Sequence, residues 1–312
     1  MPHSPLDRIK ALVPDDTIGA LIELSGADYT TLLMDVARQR AGRVQPTTVL
    51  RRYRSDRFVQ PAVMDLAARN RVEAYILAAL PSSFATVVLA PLVPFGTHAS
   101  LAAIHQDRLV STARNTEVAG DPTAGLALEA AVRRRALLAD DAKSPERVRL
   151  ASLQQITRAQ RFDGPLSWAH FDAFGMVTAG RDEGHDAFEI DSLTEHVEIL
   201  SGAVLALGAR RVTVSFTDFA EGKDGRTISA AMDRIDHDER VILRRDPKRQ
   251  AGRGYYQGSV FNITCDFGPE SFDVGDGGFV DWSQQLVGSR KERLMTSGLG
   301  VDRLAWASAP RD

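Results

Sequence analysis

The sequence predicts an α+β fold, a mixed and mainly antiparallel sheet flanked by helices, and three observations predict it. Alanine- and leucine-rich runs at 125–140 and 191–207 interleave with β-branched runs at 84–89, 212–216 and 259–264. Two longer strand-like runs, 149–158 and 168–177, flank a segment carrying Gly164-Pro165, which reads as an antiparallel hairpin with a long loop. At 312 residues, 44% hydrophobic and 25% charged, the chain is long enough for one large domain or two average ones and has the composition of an ordinary folded protein.

Taken in order, residues 1–55 read as a helical N-terminal extension, with apolar residues at mixed three and four spacing over 17–24 and 29–38, broken by Gly26. The pattern Val63, Leu66, Ala67, Ala74, Tyr75, Leu77, Ala78 predicts a long amphipathic helix over 58–80, stopped by Pro81. Strand 84–89 must end, or lie on an edge, at Pro91 and Pro94. Asp121-Pro122-Thr123 offers the polar and proline chemistry of a helix start before 125–140. Ser192 is placed near the cap of helix 191–207. The charged stretch 219–250, with Arg244, Arg245, Lys248 and Arg249 clustered, reads as a helical insertion or a mobile loop. Strand 259–264, a Gly/Asp-rich turn at 273–278 and a glycine-rich turn into a helix at 297–307 complete the chain. The core domain is thus 56–312.

Lys plus Arg at 38 against Asp plus Glu at 41 leaves a net charge of −3, which disfavours a globally basic nucleic-acid binder and confines any such contact to a local patch. The one cysteine, Cys265, forms no intramolecular disulfide and no multi-cysteine zinc site, as expected in a reducing cytoplasm. A secretory leader and a membrane span are both absent from the pattern, so a soluble cytoplasmic protein is expected. The seven histidines form no helical pair at metal-binding spacing, and no metal site is expected from protein ligands. His98 and His170 read as hydrogen-bonded structural residues. Asp182, Glu183, His185 and Asp186 read as a solvated acidic turn.

Three separated segments carry the residue types a triphosphate site needs. Thr157-Arg158-Ala159-Gln160-Arg161 ends a strand, and Ala169-His170-Phe171-Asp172-Ala173-Phe174-Gly175 returns from the loop. A lone arginine on a strand is by default a solvated residue, but one held rigidly can fork two hydrogen bonds to a phosphate, so Arg158 is the candidate for the α-phosphate. In Gly252-Arg253-Gly254-Tyr255-Tyr256-Gln257-Gly258, glycines permit close backbone approach and the tyrosines supply flat walls with polar tips for an amino-acid pocket. Strand alternation sends Tyr255 and Tyr256 to opposite faces, with Tyr256 favoured for the core. Gly298-Leu299-Gly300-Val301-Asp302-Arg303 is a glycine-rich approach that aims a guanidinium at a terminal phosphate.

In this order, the three segments resemble the catalytic core of class II aminoacyl-tRNA synthetases, histidyl branch, over roughly 58–307. Arg158 matches the arginine of that family's second motif, where Gln160 replaces the usual glutamate. Arg303, Gly298 and Gly300 match the third motif. The two tyrosines resemble the histidyl-branch tyrosine block. Asp121 and Thr123 resemble the glutamate and threonine that bind the substrate's α-amino group, with Glu117 as a second candidate.

The resemblance implies ATP-dependent activation of an amino acid as its adenylate, the carboxylate attacking the α-phosphorus and pyrophosphate leaving. Arg158, Arg253 and Arg303 are the implied catalytic cations, and Mg²⁺ is the implied metal on the phosphates. ATP contacts are implied for Arg158, Gln160, Phe171, Gly298, Gly300 and Arg303, and substrate contacts for Glu117, Asp121, Thr123, Ala173, Tyr255 and Tyr256. A homodimer is implied too, through the helix ending near Leu80 and the strand ending at Pro91.

There are departures. Ala173 and Val177 stand where the histidyl branch reads imidazole, and neither can hydrogen-bond a ring, so the expected substrate is an amino acid other than histidine. The arginine-glycine pair lies two residues closer to the tyrosines than in the family. With the sequence running to Asp312, no anticodon-binding domain is expected after Arg303. The acceptor, whether tRNA, a carrier protein or another molecule, is open. The alternative is a non-catalytic relative acting as a regulatory subunit, like that of ATP phosphoribosyltransferase.

Overall fold

A computed structural model describes residues 4–160, 168–220 and 225–309. The expected Gly164-Pro165 turn and Arg161 lie outside the described residues. The chain opens with four helices, α1 (Pro5–Lys10), α2 (Thr17–Ile22), α3 (Gly26–Ala41) and α4 (Pro46–Ser55), none of which contributes a buried residue. Gly26 starts α3 rather than breaking it, because Ser25 Oγ accepts the Asp28 N–H and caps the helix there.

Helix α5 (Leu66–Ala79) is shorter than the periodicity predicts. Pro61 interrupts the run, and Asp65 caps the helix by accepting the Ala67 N–H at 2.9 Å. The predicted strand 84–89 reduces to β1 (Ala85–Thr86), an edge pair parallel to the next long strand. A small antiparallel pair, β2 (Leu92–Pro94) and β3 (Thr116–Val118), brackets α6 (Thr97–Ala102). Asp121 caps α7 (Pro122–Asp140) through the Thr123 N–H.

The main sheet follows. Its strands are β1, β4 (Val148–Thr157), β5 (His170–Arg181), β6 (Arg211–Asp218), β7 (Val241–Arg245), β8 (Ser259–Asp266), β9 (Ser271–Val280) and β10 (Glu292–Gly300). They lie in the order β1-β4-β5-β10-β9-β8-β6-β7, antiparallel except at the two ends, where β1 and β7 pair parallel. Helix α8 (Ala187–Ala206) begins earlier than predicted, directly after Asp186, so Ser192 is buried inside it and caps nothing. The described part of 219–250 is not a loose loop: it forms helix α9 (Arg226–Arg234) and strand β7, which pairs parallel with β6 at the sheet edge.

Residues 273–278 are not a turn but the middle of β9. Glycine is required there because a Cβ on Gly275 would stand 2.2 Å from the Gly298 carbonyl oxygen. Gly298 and Gly300 likewise belong to β10. The chain enters α10 (Trp282–Val287) before β10 and α11 (Val301–Ala307) directly after it.

Alternation along the strands sends two apolar sets to two layers. Phe174, Met176, Val214, Ile263 and Met295 pack with α5, α8, α9 and α11. Leu150, Val177, Ala179 and Leu294 pack with α7 and α10. Among the described residues no helix is long and apolar enough to cross a membrane.

Candidate functional site

Helix α7 covers only one half of its sheet face. It meets Val148, Leu150, Val177 and Ala179, whereas the end of β4, the start of β5 and the end of β10 extend past its N-terminus. Over this bare floor opens a cleft of about 720 Å³, with Phe171, Ala173, Gly275, Gly298 and Gly300 beneath it. The pairing Gly300↔Ala173 brings the end of β10 beside the start of β5. Arg158, just past β4, and Arg303, in the first turn of α11, therefore line the same cleft.

Each guanidinium is anchored by a carbonyl. Arg158 Nε donates to the Gly120 oxygen at 2.7 Å, its Nη2 stands 3.5 Å from Asp121 Oδ2, and the group lies 5.9 Å from the Phe171 ring. Arg303 Nη1 donates to the Asp273 oxygen at 2.6 Å. Phe272 and Trp306 form an edge-to-face pair at one wall.

At the other wall Asp121 Oδ1 accepts from the Thr123 N–H at 2.9 Å and its hydroxyl at 2.7 Å, and Tyr255 OH donates to Oδ2 at 3.4 Å. Tyr256 OH donates to Asp276 Oδ1 at 3.0 Å, while Arg249 Nη2 pairs with Oδ2 at 2.9 Å. Burial, reinforced by the Asp121 and Asp276 charges, pushes both tyrosine hydroxyls well above their ordinary range. Burial also raises the Asp276 carboxyl, against the pull of Arg249. Asp302 is 5% exposed, its Oδ1 has no partner, and burial, followed by the neighbouring Asp172 charge, pushes its carboxyl to about 6.

Of the residues singled out from sequence, Asp121, Thr123, Arg158, Phe171 and Ala173 come together in the cleft with Tyr255, Tyr256, Gly298, Gly300 and Arg303. Gln160 lines an adjoining cavity of about 360 Å³ that shares Asp121, Arg158, both tyrosines and Asp276. Tyr255 and Tyr256 do not face apart. Both of their N–H groups donate to the Gly252 carbonyl in a turn, and their rings meet edge to face at 4.6 Å. Tyr256 is buried as expected, yet it also lines the cleft.

Two residues stand elsewhere. Arg253 is exposed and lines neither cavity: its guanidinium lies 4.9 Å from the Phe219 ring and its Nε donates to Gln250. The positive φ of Gly252 and Gly254, 87° each, turns it outward. Glu117 is fully buried away from the cleft and accepts four N–H bonds, including one from His98 Nδ1 at 2.7 Å. His170 Nε2 binds the Gln60 carbonyl at 2.8 Å.

Sequence reasoning missed Asp276, Asp302 and Arg249. Asp302 adjoins Arg303, but nothing local tells a buried aspartate from a helix-start one. Asp276 was hidden by its glycine neighbours, and Arg249 by the charged run around it. Among the described residues no group of three or more His, Cys, Asp or Glu side chains is placed to hold a metal ion.

No protein-family model matches the chain, and no curated protein matches it. Solved structures do. The histidyl-tRNA synthetase of S. aureus superimposes with a TM-score of 0.56 at 13% identity over 77% of this chain, which spans 64% of that enzyme. A protein of Bacillus halodurans described as an ATP phosphoribosyltransferase regulatory subunit/histidyl-tRNA synthetase gives 0.55 at 16% identity, covering 81% of this chain and 83% of that one. A histidine–tRNA ligase subunit of Alicyclobacillus acidocaldarius gives 0.57 at 14% identity, covering 80% and 95%. At such identities the likeness is one of fold.

Proposed function

From a chain that has the class II aminoacyl-tRNA synthetase-like fold, we propose that the cleft binds ATP and activates an amino acid other than histidine as its adenylate, for transfer to an acceptor such as a tRNA or a carrier protein. The observation that carries this reading is the convergence of Arg158 and Arg303, from distant parts of the sequence, on one cleft with a glycine floor.

In this reading the Arg158 guanidinium, aimed by its Nε anchor, binds the α-phosphate, and Arg303 binds the terminal phosphate. Preorganised cations of this kind stabilise charge that develops at phosphorus. Phe171 lies under the base, and Gly298 and Gly300 leave room for it. Asp121, backed by Thr123 and Tyr255, accepts the substrate ammonium. Ala173 presents only a methyl group to the cleft, which suits a side chain that is not imidazole. Arg253 has no role here, since its guanidinium rests on Phe219.

Mg²⁺ fits the donor set: the cleft holds aspartates with oxygen to offer, Asp302 Oδ1 among them without a partner, and Mg²⁺ is commonly held by one or two carboxylates plus phosphates. When bound it neutralises phosphate charge. A homodimer is proposed through the α5 and β1 region, where Tyr75, Leu77 and Val88 are exposed.

The test is ATP–pyrophosphate exchange over a panel of amino acids, with exchange expected for one of them. A second reading, a ligand-binding regulatory subunit, is favoured by the lining charge: five aspartates face two arginines. Exchange with no amino acid, together with tight binding to another enzyme, selects it.

A further inference from the structure

His98 and Glu117 line neither cavity, yet a continuous set of hydrogen bonds joins them to the cleft. His98 is fully buried in α6, and its Nε2 accepts the Gly120 N–H at 3.0 Å. Nδ1 is thereby left as the donor to Glu117 Oε1, at 2.7 Å. Glu117 is held in turn by the backbone N–H groups of Gly96 at 3.1 Å and His98 at 3.0 Å and by the Gln106 amide at 3.0 Å. Burial alone would raise its carboxyl, but these donors keep it below the usual glutamate range.

On its other side, the carbonyl of the same Gly120 receives Arg158 Nε, and the next residue is Asp121. The space at Gly120 is closely filled: a Cβ there would stand 2.9 Å from Leu109 Cδ2 and 3.5 Å from His98 Nε2. Both nitrogens of His98 are therefore committed, one to a buried carboxylate and the other to the loop that anchors a cleft arginine, and it is the second bond that links the pair to the site.

We propose that His98, oriented by Glu117, is the positioning residue of this cleft: by holding the Gly120 peptide it sets where Arg158 and Asp121 meet a ligand. The claim rests on the reading that those two residues contact phosphate and ammonium. A displacement of about 1 Å at such a site costs on the order of 10²-fold in rate, so the anchor matters without touching ligand.

Two polar variants separate positioning from packing. In His98→Gln the side-chain amide reaches the place of Nε2 and can accept from Gly120. In His98→Asn it reaches the place of Nδ1 and can bond Glu117 only. Two measurements are made on each: hydrogen exchange of the Arg158 Nε–H in ¹⁵N-arginine-labelled protein, identified by its absence in Arg158→Lys, and calorimetric affinity for Mg·ATP, with adenosine as control.

His98→Gln is expected to stay within about threefold of wild type in both. His98→Asn is expected to lose about tenfold or more in Mg·ATP affinity, keep adenosine affinity, and exchange the Arg158 Nε–H faster. Equal behaviour of the two variants, or an unchanged Arg158 Nε–H in His98→Asn, overturns the proposal. Should His98→Asn not fold, Glu117→Gln takes its place, and wild-type exchange there also overturns it. If the wild-type protein binds no Mg·ATP, the ATP reading fails, while the exchange comparison still decides the positioning claim.

Discussion

Arg158 Nη2 stands 3.5 Å from Asp121 Oδ2, too far for a strong charge-assisted bond, while the Arg158 Nε is tied to Gly120 at 2.7 Å. The guanidinium is thus aimed by a backbone carbonyl and only loosely neutralised by the carboxylate beside it. Partly exposed pairs of this kind contribute about 0–1 kcal/mol to stability. Arg158→Ala should therefore leave the thermal melt nearly unchanged and lower ATP–pyrophosphate exchange by on the order of 10²-fold or more. Arg303→Ala should do the same. Full exchange in both variants would show that the arginines do not serve the phosphates.

The Arg134–Glu292 pair behaves oppositely. Both side chains are fully buried, and the fork bonds at 2.8 and 3.0 Å. Removing one partner strands a charge, so Glu292→Ala should destabilise by about 3–5 kcal/mol in urea unfolding. A paired apolar replacement of both residues should cost far less. Equal losses in the two would refute the stranded-charge account.

Asp302 predicts a pH dependence. Its carboxyl is raised by burial from 3.8 to about 6, so the folded state binds this proton more tightly than the unfolded state does. The stabilisation from that proton is complete below 3.8 and is lost as pH rises through about 6. Asp302→Asn should melt higher than wild type near neutral pH, by an amount equivalent to roughly 1–3 kcal/mol, with the gap closing at acid pH. A gap independent of pH would remove Asp302 as its source.

At Gly275, alanine would drive a Cβ into the Gly298 carbonyl, and at Gly298 into the Phe174 carbonyl, 2.5 Å away. Neither obstacle is a flexible side chain. Gly275→Ala should cost roughly 1–3 kcal/mol, read as a lower melting temperature, by prising β9 from β10 under the cleft. At Gly268, by contrast, a Cβ would meet nothing within 4 Å, and alanine there should be accepted at little cost.

Val88 is wholly exposed beside β1, and Tyr75 and Leu77 on α5 are exposed too. Sedimentation should show a dimer, and Val88→Asp should shift it toward monomer by placing a charge in the apolar contact. A wild-type monomer at micromolar concentration would count against the proposed homodimer.

Much of the fold was legible because it rests on local chemistry. Pro122 and the Asp121 cap announce α7, and β-branched runs announce β6 and β8. The errors share one cause: a local signal with two tertiary meanings. Glycines at 275–278 serve a turn or a close approach of strands equally well, and only the Gly298 carbonyl opposite selects the second. Likewise, Glu117 stood as the second candidate for the substrate ammonium, whereas its four N–H partners lie within the small β2–β3 and α6 unit.

By itself the sequence determined the α+β class, helices α7 and α8, the antiparallel pair β4 and β5, strands β6 and β8, and the residue types able to bind phosphate and ammonium, since these depend on side-chain chemistry and short-range periodicity. Only the tertiary structure decided which of them share a cleft. Strand pairing carries Arg303 to Arg158, two positive-φ glycines turn Arg253 away, and the burial of Asp276 and Asp302 comes from residues distant in the chain. Distance, burial and electric field are properties of neighbours in space, and no local run of residues states who those neighbours are.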